Sequence, residues 1–408
     1  MSGVLTEDTP LVELREQALQ ALVTALPEAV ELRHNIHRDP HVGGDEASTV
    51  ARLVELLTPV NNERVVLDVA GGLIVRSGAA GGSIAIRAEL DALPIQEASD
   101  LPWASRRPGV AHLCGHDAHT AALVATIRAI EAVGVPVPFV AIFQPREEVI
   151  PAGAIDMIAA PQLADQELRA LVGVHVQPVL TLGSASVVPG PINAAADNFE
   201  ITVRGRAAHG AYPHLGRDPI LAAAAIVQAL QQLVARRVDP MRPAVVTVGS
   251  INGGSSHNAI TTEVVLQGTL RSYDGADQEM LHTELRRIAE SVATGHGCEA
   301  LVSLDFGEPV LRNDGELADL VATALTAHGI ELAPALRSCG ADDFSYYCQH
   351  YRSLMIFAGV GDGVPGAPGL HHPGFVPPDE TVGELARIML LSYFAIAEQL
   401  YADSKEAR

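Results

Sequence analysis

The chain is expected to fold as an α/β protein, a doubly wound, mostly parallel sheet interrupted by an inserted β-α-β-β-α-β domain. Three observations along its 408 residues predict this. Four short apolar runs lack polar alternation, as strands buried on both faces do. Stretches of helical period lie between them. From about 192 to 308 the pattern changes to alternating strands and longer helices, in the order of a split βαβ unit.

Taken in order, the elements begin with an N-terminal helix over roughly 11–32. The glycine-rich residues 78–82 read as a hairpin-like turn before a strand at 84–88; no Lys-Ser/Thr follows them, so they are not a phosphate cradle. A helix over about 118–133 carries Leu123, Val124, Ile127 and Ile130 on one face and stops at Gly134. Further buried strands are expected at 140–143, 171–176 and 354–359. The inserted segment reads as a strand at 198–204, a helix over 218–238 with Pro219 near its start, and strands at 244–251 and 263–271. A helix over 277–293 and a strand at 299–306 complete it. The first domain is then discontinuous, 1–191 with 309–408, and 192–308 is the insertion.

The bulk properties exclude several classes. A formal charge of −22 argues against a nucleic-acid partner, which needs clustered Lys and Arg. It says little about substrate, since a cationic pocket can sit in an acidic protein. No stretch approaches the roughly 20 apolar residues of a membrane span, and residues 1–10 lack the basic-then-apolar pattern of a secretory signal. Cys114, Cys298, Cys339 and Cys348 are few and scattered, which fits a reducing cytoplasm better than a disulfide framework. No membrane association and a cytoplasmic location are therefore expected.

Residues 111–119 concentrate one thiol, three imidazoles and a carboxylate: His112, Cys114, His116, Asp117 and His119. Cys114 and His116 are two apart, so on an extended segment both face one way. A thiolate beside an imidazole suits zinc, manganese, cobalt or nickel. Alone, a buried cysteine with capping neighbours would explain the cluster equally well. Other segments tip the balance. Asp91 follows the 84–88 strand, Glu147 and Glu148 follow the 140–143 strand, His175 ends the 171–176 strand, and His371 and His372 follow the 354–359 strand. Open α/β sheets bind ligands at the carboxyl ends of their strands, so these segments aim candidate ligands at one sheet edge. The candidates are Cys114, His116, Glu147, Glu148, His175 and His371: five to hold two divalent ions and one carboxylate left over. Such a pair of ions can hold a hydroxide and polarise a carbonyl, and the spare glutamate can carry the proton to the leaving nitrogen. His214 and His372 read as structural.

These residues belong to a longer series. It comprises Arg33 through His37 with Pro40, Arg87 through Pro94, Cys114 through Asp117, Phe143 through Pro145 with Glu147 and Glu148, and Val174-His175. It continues with Ala208-His209, Pro213-His214, Asp218-Pro219, Gly268 through Arg271, Asp342 through Phe344, and Leu370-His371 with Pro373 and Phe375. In this order they resemble the metallo-amidohydrolase superfamily of aminoacylases and zinc carboxypeptidases. The match is to the branch of hippurate hydrolases, N-acyl-L-amino acid amidohydrolases and auxin-conjugate hydrolases, over nearly the whole chain. The resemblance implies metal-dependent hydrolysis of the amide of an N-acyl amino acid or related small conjugate by a metal-bound hydroxide. It makes Cys114, His116, Glu148, His175 and His371 the ligands of two divalent ions, with Cys114 bridging. Glu147 would be general base and then general acid, and Asp91 would orient a neighbouring group. His209 would stabilise the oxyanion, a residue that several relatives receive from a partner subunit. Asn258 and Arg271 would hold the substrate carboxylate; for Arg271 a strand-end surface charge stays open. The 192–308 insertion would serve as lid and dimerisation domain of a homo-oligomer. A dipeptidase or carboxypeptidase with the same centre is the alternative, and a non-catalytic conjugate- or metal-binding relative a smaller one. A nicotinamide enzyme fits poorly, because no glycine fingerprint follows the first strand.

The chain departs from that branch in several places. Glu89 stands where Asp is usual, and His41 replaces an acidic residue before an unusual Val42-Gly43-Gly44 loop. Arg146 replaces a small residue ahead of the glutamate pair, where it would narrow the pocket or attract an anion. The loop 253–261 carries Asn258 without the proline that usually follows. These bear on substrate choice, not on the reaction.

Overall fold

In the computed structural model, residues 10–58, 64–364 and 366–406 are described. The chain divides into two compact units, Met1–Gly190 with Arg312–Leu336 and Tyr346–Arg408, and Pro191–Leu311 with Arg337–Ser345. The 337–345 segment, which patterning leaves in the first domain, thus belongs to the second unit.

The first unit is built on an eight-stranded sheet. Its order is Arg64–Val69, Gly72–Ser77, Phe139–Gln144, Ser83–Glu89, Leu168–Thr181, Ser353–Gly361, Ser184–Ser186 and Glu331–Leu332. The four strands expected from unbroken apolar runs are its four central members, mutually parallel. Burial on both faces explains their lack of alternation: Ile84, Ala85, Ile86, Val140, Ala141, Ile142, Leu171 and Val172 are all fully buried. The long helices Leu11–Arg38, His116–Ala132 and Glu380–Glu406 supply much of the core packed against it.

Two details differ from the patterning. Residues 78–82 are not a hairpin turn, because Phe139–Gln144 lies between the strands they connect, antiparallel to one and parallel to the other. The N-terminal helix continues past 32 to Arg38. Arg33 and His37 interrupt its apolar stripe, yet both are buried and matched by acidic partners: Arg33 Nε donates to Asp117 Oδ2 at 3.2 Å and His37 Nδ1 lies 2.9 Å from the same oxygen.

The second unit carries an antiparallel sheet in the order Ala244–Gly253, Glu263–Ser272, Ala195–Arg204, Glu299–Phe306. Helices Pro219–Leu230 and Gly275–Gly295 pack on it around Phe199, Ile201, Ile226, Leu266 and Leu285. The helix expected over 218–238 breaks at Gln231 into two pieces. Its N-terminus is fixed by Asp218, whose carboxylate accepts the Ile220 and Leu221 N–H groups at 2.9 and 3.3 Å. Asp274 caps the other helix in the same way, so it starts at Gly275, ahead of the expected 277. Pro219–Arg236 is apolar enough over 18 residues to pass as a membrane span, with mean hydropathy 1.3. Here that composition builds the core of the unit, through Ala222, Ala223, Ile226, Leu230 and Leu233.

Candidate metal centre

The carboxyl ends of the parallel strands bring one set of side chains together in the first unit. Cys114 sits just before the His116–Ala132 helix, beyond Gly115, whose φ of +90° and packing against Val176 (a Cβ there would meet Cγ2 at 2.5 Å) demand glycine. His371 also takes a left-handed φ of 64°, and its N–H donates to the Leu113 carbonyl at 2.8 Å, which pins this loop beside Cys114. Cys114 Sγ, a Glu148 oxygen and a His371 nitrogen lie within 4.8 Å of one another, as do one atom each of His116, Glu147 and Glu148. His371 Nε2 is 3.1 Å from Glu148 Oε1, and Cys114 Sγ is 3.5 Å from His175 Nε2. The structure therefore brings all six clustered candidates to one place.

The protonation pattern follows from the partners. His116 Nδ1 is 2.8 Å from the Asp91 backbone oxygen, and His175 Nδ1 is 2.7 Å from the Val176 oxygen. A carbonyl only accepts, so each Nδ1 carries a proton and each Nε2 turns its other valence toward the cluster. His116 Nε2 is buried with no hydrogen bond among the described residues, with Glu147 Oε2 3.8 Å away. Nε2 is therefore the ring atom placed to meet a cation.

Electrostatics points the same way. Burial pushes the Cys114 thiol well above its usual range, and the charges of Glu148 and Glu147 push it further. Burial alone would lower His116, but its hydrogen bond to Asp91 and the charges of Glu89, Asp91 and Glu148 outweigh this and raise it to about 10, so a divalent ion binding at Nε2 would displace a proton there. Burial, with the nearby charges of His119 and His116, drives His175 down to about 3, so it is a neutral imidazole. Crowded acidic groups, a thiol and imidazoles, buried at Cys114, His116 and His175 and partly open at Glu147, Glu148 and His371, fit divalent cations, which relieve the repulsion and stabilise the thiolate.

Asp91 holds the glutamate loop, its Oδ2 accepting the Glu148 N–H at 2.9 Å. His119, a member of the same sequence cluster and within ligand range of His116 and His175, is spent elsewhere. Its Nδ1 donates to Glu89 Oε2 at 2.8 Å and its Nε2 accepts the Val176 N–H at 3.0 Å. Glu89 is also ion-paired with buried Arg87, so the glutamate that replaces the usual aspartate bridges Arg87 and His119. The Arg146 guanidinium pairs with Asp156 and donates to the Pro151 oxygen at 3.3 Å. It is engaged with its own loop and the following helix.

In the second unit, His209 and Asn258 come together through the short antiparallel pair Ala208–His209 and Ala259–Ile260, where the Gly210 N–H donates to the Asn258 oxygen at 2.7 Å. His209 is exposed and its Nδ1 accepts the Ala211 N–H at 3.0 Å, so its proton is on Nε2. Asn258 Oδ1 accepts from Ser256 Oγ at 2.6 Å, leaving the amide NH₂ to donate. Arg271 lies half-buried on the Glu263–Ser272 strand, opposite Val245 and Ala196.

Comparison with known proteins is consistent throughout. An N-acetyl-L-cysteine deacetylase from Bacillus subtilis (strain 168) is 32% identical over 416 residues, 99% of this chain and 95% of that protein. An N-acetyldiaminopimelate deacetylase from Exiguobacterium sibiricum is 32% identical over 361 residues, 87% of this chain and 95% of its own length. The crystal structure of Bacillus subtilis YXEP protein, described as a dinuclear metal binding peptidase, is 29% identical with a TM-score of 0.80, covering 92% of this chain and 99% of that one. The family model for peptidase family M20/M25/M40 matches residues 85–391, most of the length, and the chain belongs to that family.

Proposed function

We propose that the protein is a metal-dependent amidohydrolase that cleaves the amide of N-acyl amino acids. The observation that carries this is the convergence of buried Cys114, His116 and His175 with partly buried Glu148 and exposed His371 on one place, with the Nδ1 atoms of His116 and His175 already satisfied by carbonyl oxygens. Two divalent ions held by these residues would polarise the scissile carbonyl and acidify water. Glu147, adjacent to a ligand and 3.8 Å from His116 Nε2, takes the proton from the attacking water and delivers it to the leaving nitrogen. Asp91 orients both neighbours, through its backbone oxygen to His116 and its carboxylate to Glu148.

His209 is proposed as donor to the oxyanion; the proton on its Nε2 supports that role. Asn258 and Arg271 are proposed to bind the substrate carboxylate, for which a free amide NH₂ and a guanidinium are suitable donors. Deacetylation as the substrate class is supported by the names of the relatives from Bacillus subtilis and Exiguobacterium sibiricum. The four free cysteines support a cytoplasmic location. A homo-oligomer through the Pro191–Leu311 lid is supported by exposed Tyr212, Leu215, Ile220, Leu221 and Ile251.

The test is a panel of N-acetyl and longer N-acyl amino acids, with matched dipeptides, assayed after chelation and reloading with zinc, manganese, cobalt or nickel. Metal-restored release of free amino acid from the N-acyl series is expected. Cleavage confined to dipeptides with free amines would replace the reading with a dipeptidase, and metal binding without any cleavage would replace it with a binding protein.

A further inference from the structure

We propose that Glu46, a residue outside the metal cluster, is a positioning residue that sets the backbone of the Glu147–Glu148 loop. The inference rests on the proposed role of that loop in metal binding and proton transfer.

Glu46 immediately precedes the Ala47–Leu57 helix, at the N-cap position, but its side chain does not cap that helix. A carboxylate there ordinarily accepts the free amides of its own first turn. Glu46 instead reaches across the fold: Oε1 accepts the Arg146 N–H at 2.8 Å and Oε2 accepts the Gly44 N–H at 2.8 Å. The residue is 3% exposed, so both oxygens are spent on backbone amides in a buried place.

The amide it holds belongs to a strained residue. Arg146 has φ 56°, left-handed for a residue with a bulky side chain. Its carbonyl is also held, accepting the Gly153 N–H at 2.9 Å. Two residues on, the Glu148 N–H is held by Asp91 Oδ2 at 2.9 Å. Glu46 and Asp91 therefore grip the chain on either side of Glu147. The turn bearing Glu46 is itself keyed to this strand end. Val42 bridges Ala92, whose N–H donates to the His41 oxygen at 2.7 Å. A Cβ at Gly43 would lie 2.7 Å from Val149 Cγ2 and 3.3 Å from Asp91 Oδ2. The absence of a side chain at Gly43 is thus what allows the turn to lie against Val149 and Asp91. Without the carboxylate, Arg146 is free to leave the left-handed region, and the peptides carrying Glu147 and Glu148 rotate with it.

The test compares Glu46→Leu, which offers no acceptor to the Arg146 N–H, with the wild type, zinc-loaded, by the rate of zinc loss to a chelator, by kcat and KM on the best N-acyl amino acid, and by thermal midpoint. Zinc loss about tenfold faster or more, and kcat about tenfold lower or more with KM nearly unchanged, are expected. Arg146→Gly placed in the Glu46→Leu background is expected to recover part of the zinc retention, because glycine keeps the left-handed backbone without strain. This pair also keeps the test open if the single variant folds poorly. A lowered thermal midpoint with unchanged zinc loss and kcat would make Glu46 structural only and overturn the proposal, as would a double variant no better than the single one. Zinc loss is read without substrate. A wild type that cleaves no amide would therefore overturn the activity while leaving the comparison of the two variants intact.

Discussion

At the residue scale, Glu147 and Glu148 are neighbours with separable tasks. Glu148 contacts His371 and shares ligand range with Cys114, whereas Glu147 has His116 and Glu148 within range but not Cys114 or His371 in its group. Glu147→Gln keeps size and hydrogen-bonding capacity but cannot carry the proton. We predict that it retains metal at the wild-type stoichiometry and loses about 10²–10⁴-fold in kcat. Elemental analysis alongside initial rates checks this, and full activity would remove Glu147 from the mechanism. Cys114 and His116 were legible in the sequence because they share a short run with the right spacing. His119, in that same run, shows the limit of such reading: only the fold reveals that Glu89 and the Val176 N–H use both its nitrogens. The link from Glu46 to the glutamate loop left no local signal, since that partner is a backbone amide 100 residues away.

At the element scale, the His116–Ala132 helix and the Leu11–Arg38 helix are joined by a buried charge network. His37 is raised to about 9: burial would lower it, but Asp117 and Glu97 together outweigh that cost. The same contacts, with Arg33, hold Asp117 far below the usual carboxylate range against its own burial. A folded-state pKa above the unfolded value of about 6.5 means stability that is fully present below pH 6.5 and lost as pH rises through 9. The shift corresponds to roughly 3 kcal/mol. We predict a thermal midpoint that falls from pH 6.5 to 9 and a flatter profile for His37→Gln, with the variant less stable at pH 6. Parallel profiles would show that His37 is not the titrating group. This network also explains why the first helix was cut short in the sequence, where buried charges are indistinguishable from exposed ones. The central parallel strands were legible for the opposite reason, since burial on both faces leaves an unbroken apolar run. The Arg64–Val69 strand, half-exposed and carrying Arg64 and Asp68, has no such run and was missed.

At the scale of the whole molecule, the second unit presents an apolar surface on a strongly acidic chain. Tyr212, Leu215, Ile220 and Leu221 lie within ten residues around the start of the Pro219–Leu230 helix, and each is more than 40% exposed. Burying them in a contact between two copies would gain hydrophobic free energy, opposed by the mutual repulsion of two chains of charge −22. Screening acts over about 8 Å at physiological salt, so association is expected to strengthen as salt is raised from low concentration. Leu221→Glu should shift the sedimenting species toward the monomer while leaving the metal content of the first unit unchanged. Assembly has a catalytic consequence if the oxyanion donor crosses between copies. His209→Ala and Glu147→Gln would each be nearly inactive alone. Mixed and allowed to exchange subunits, they would form hybrids in which one centre draws an intact Glu147 from one chain and an intact His209 from the other. Recovery of activity on mixing, abolished when Leu221→Glu is added to both chains, is the expected outcome. Mixtures that exchange subunits yet stay inactive would assign His209 to the centre of its own chain.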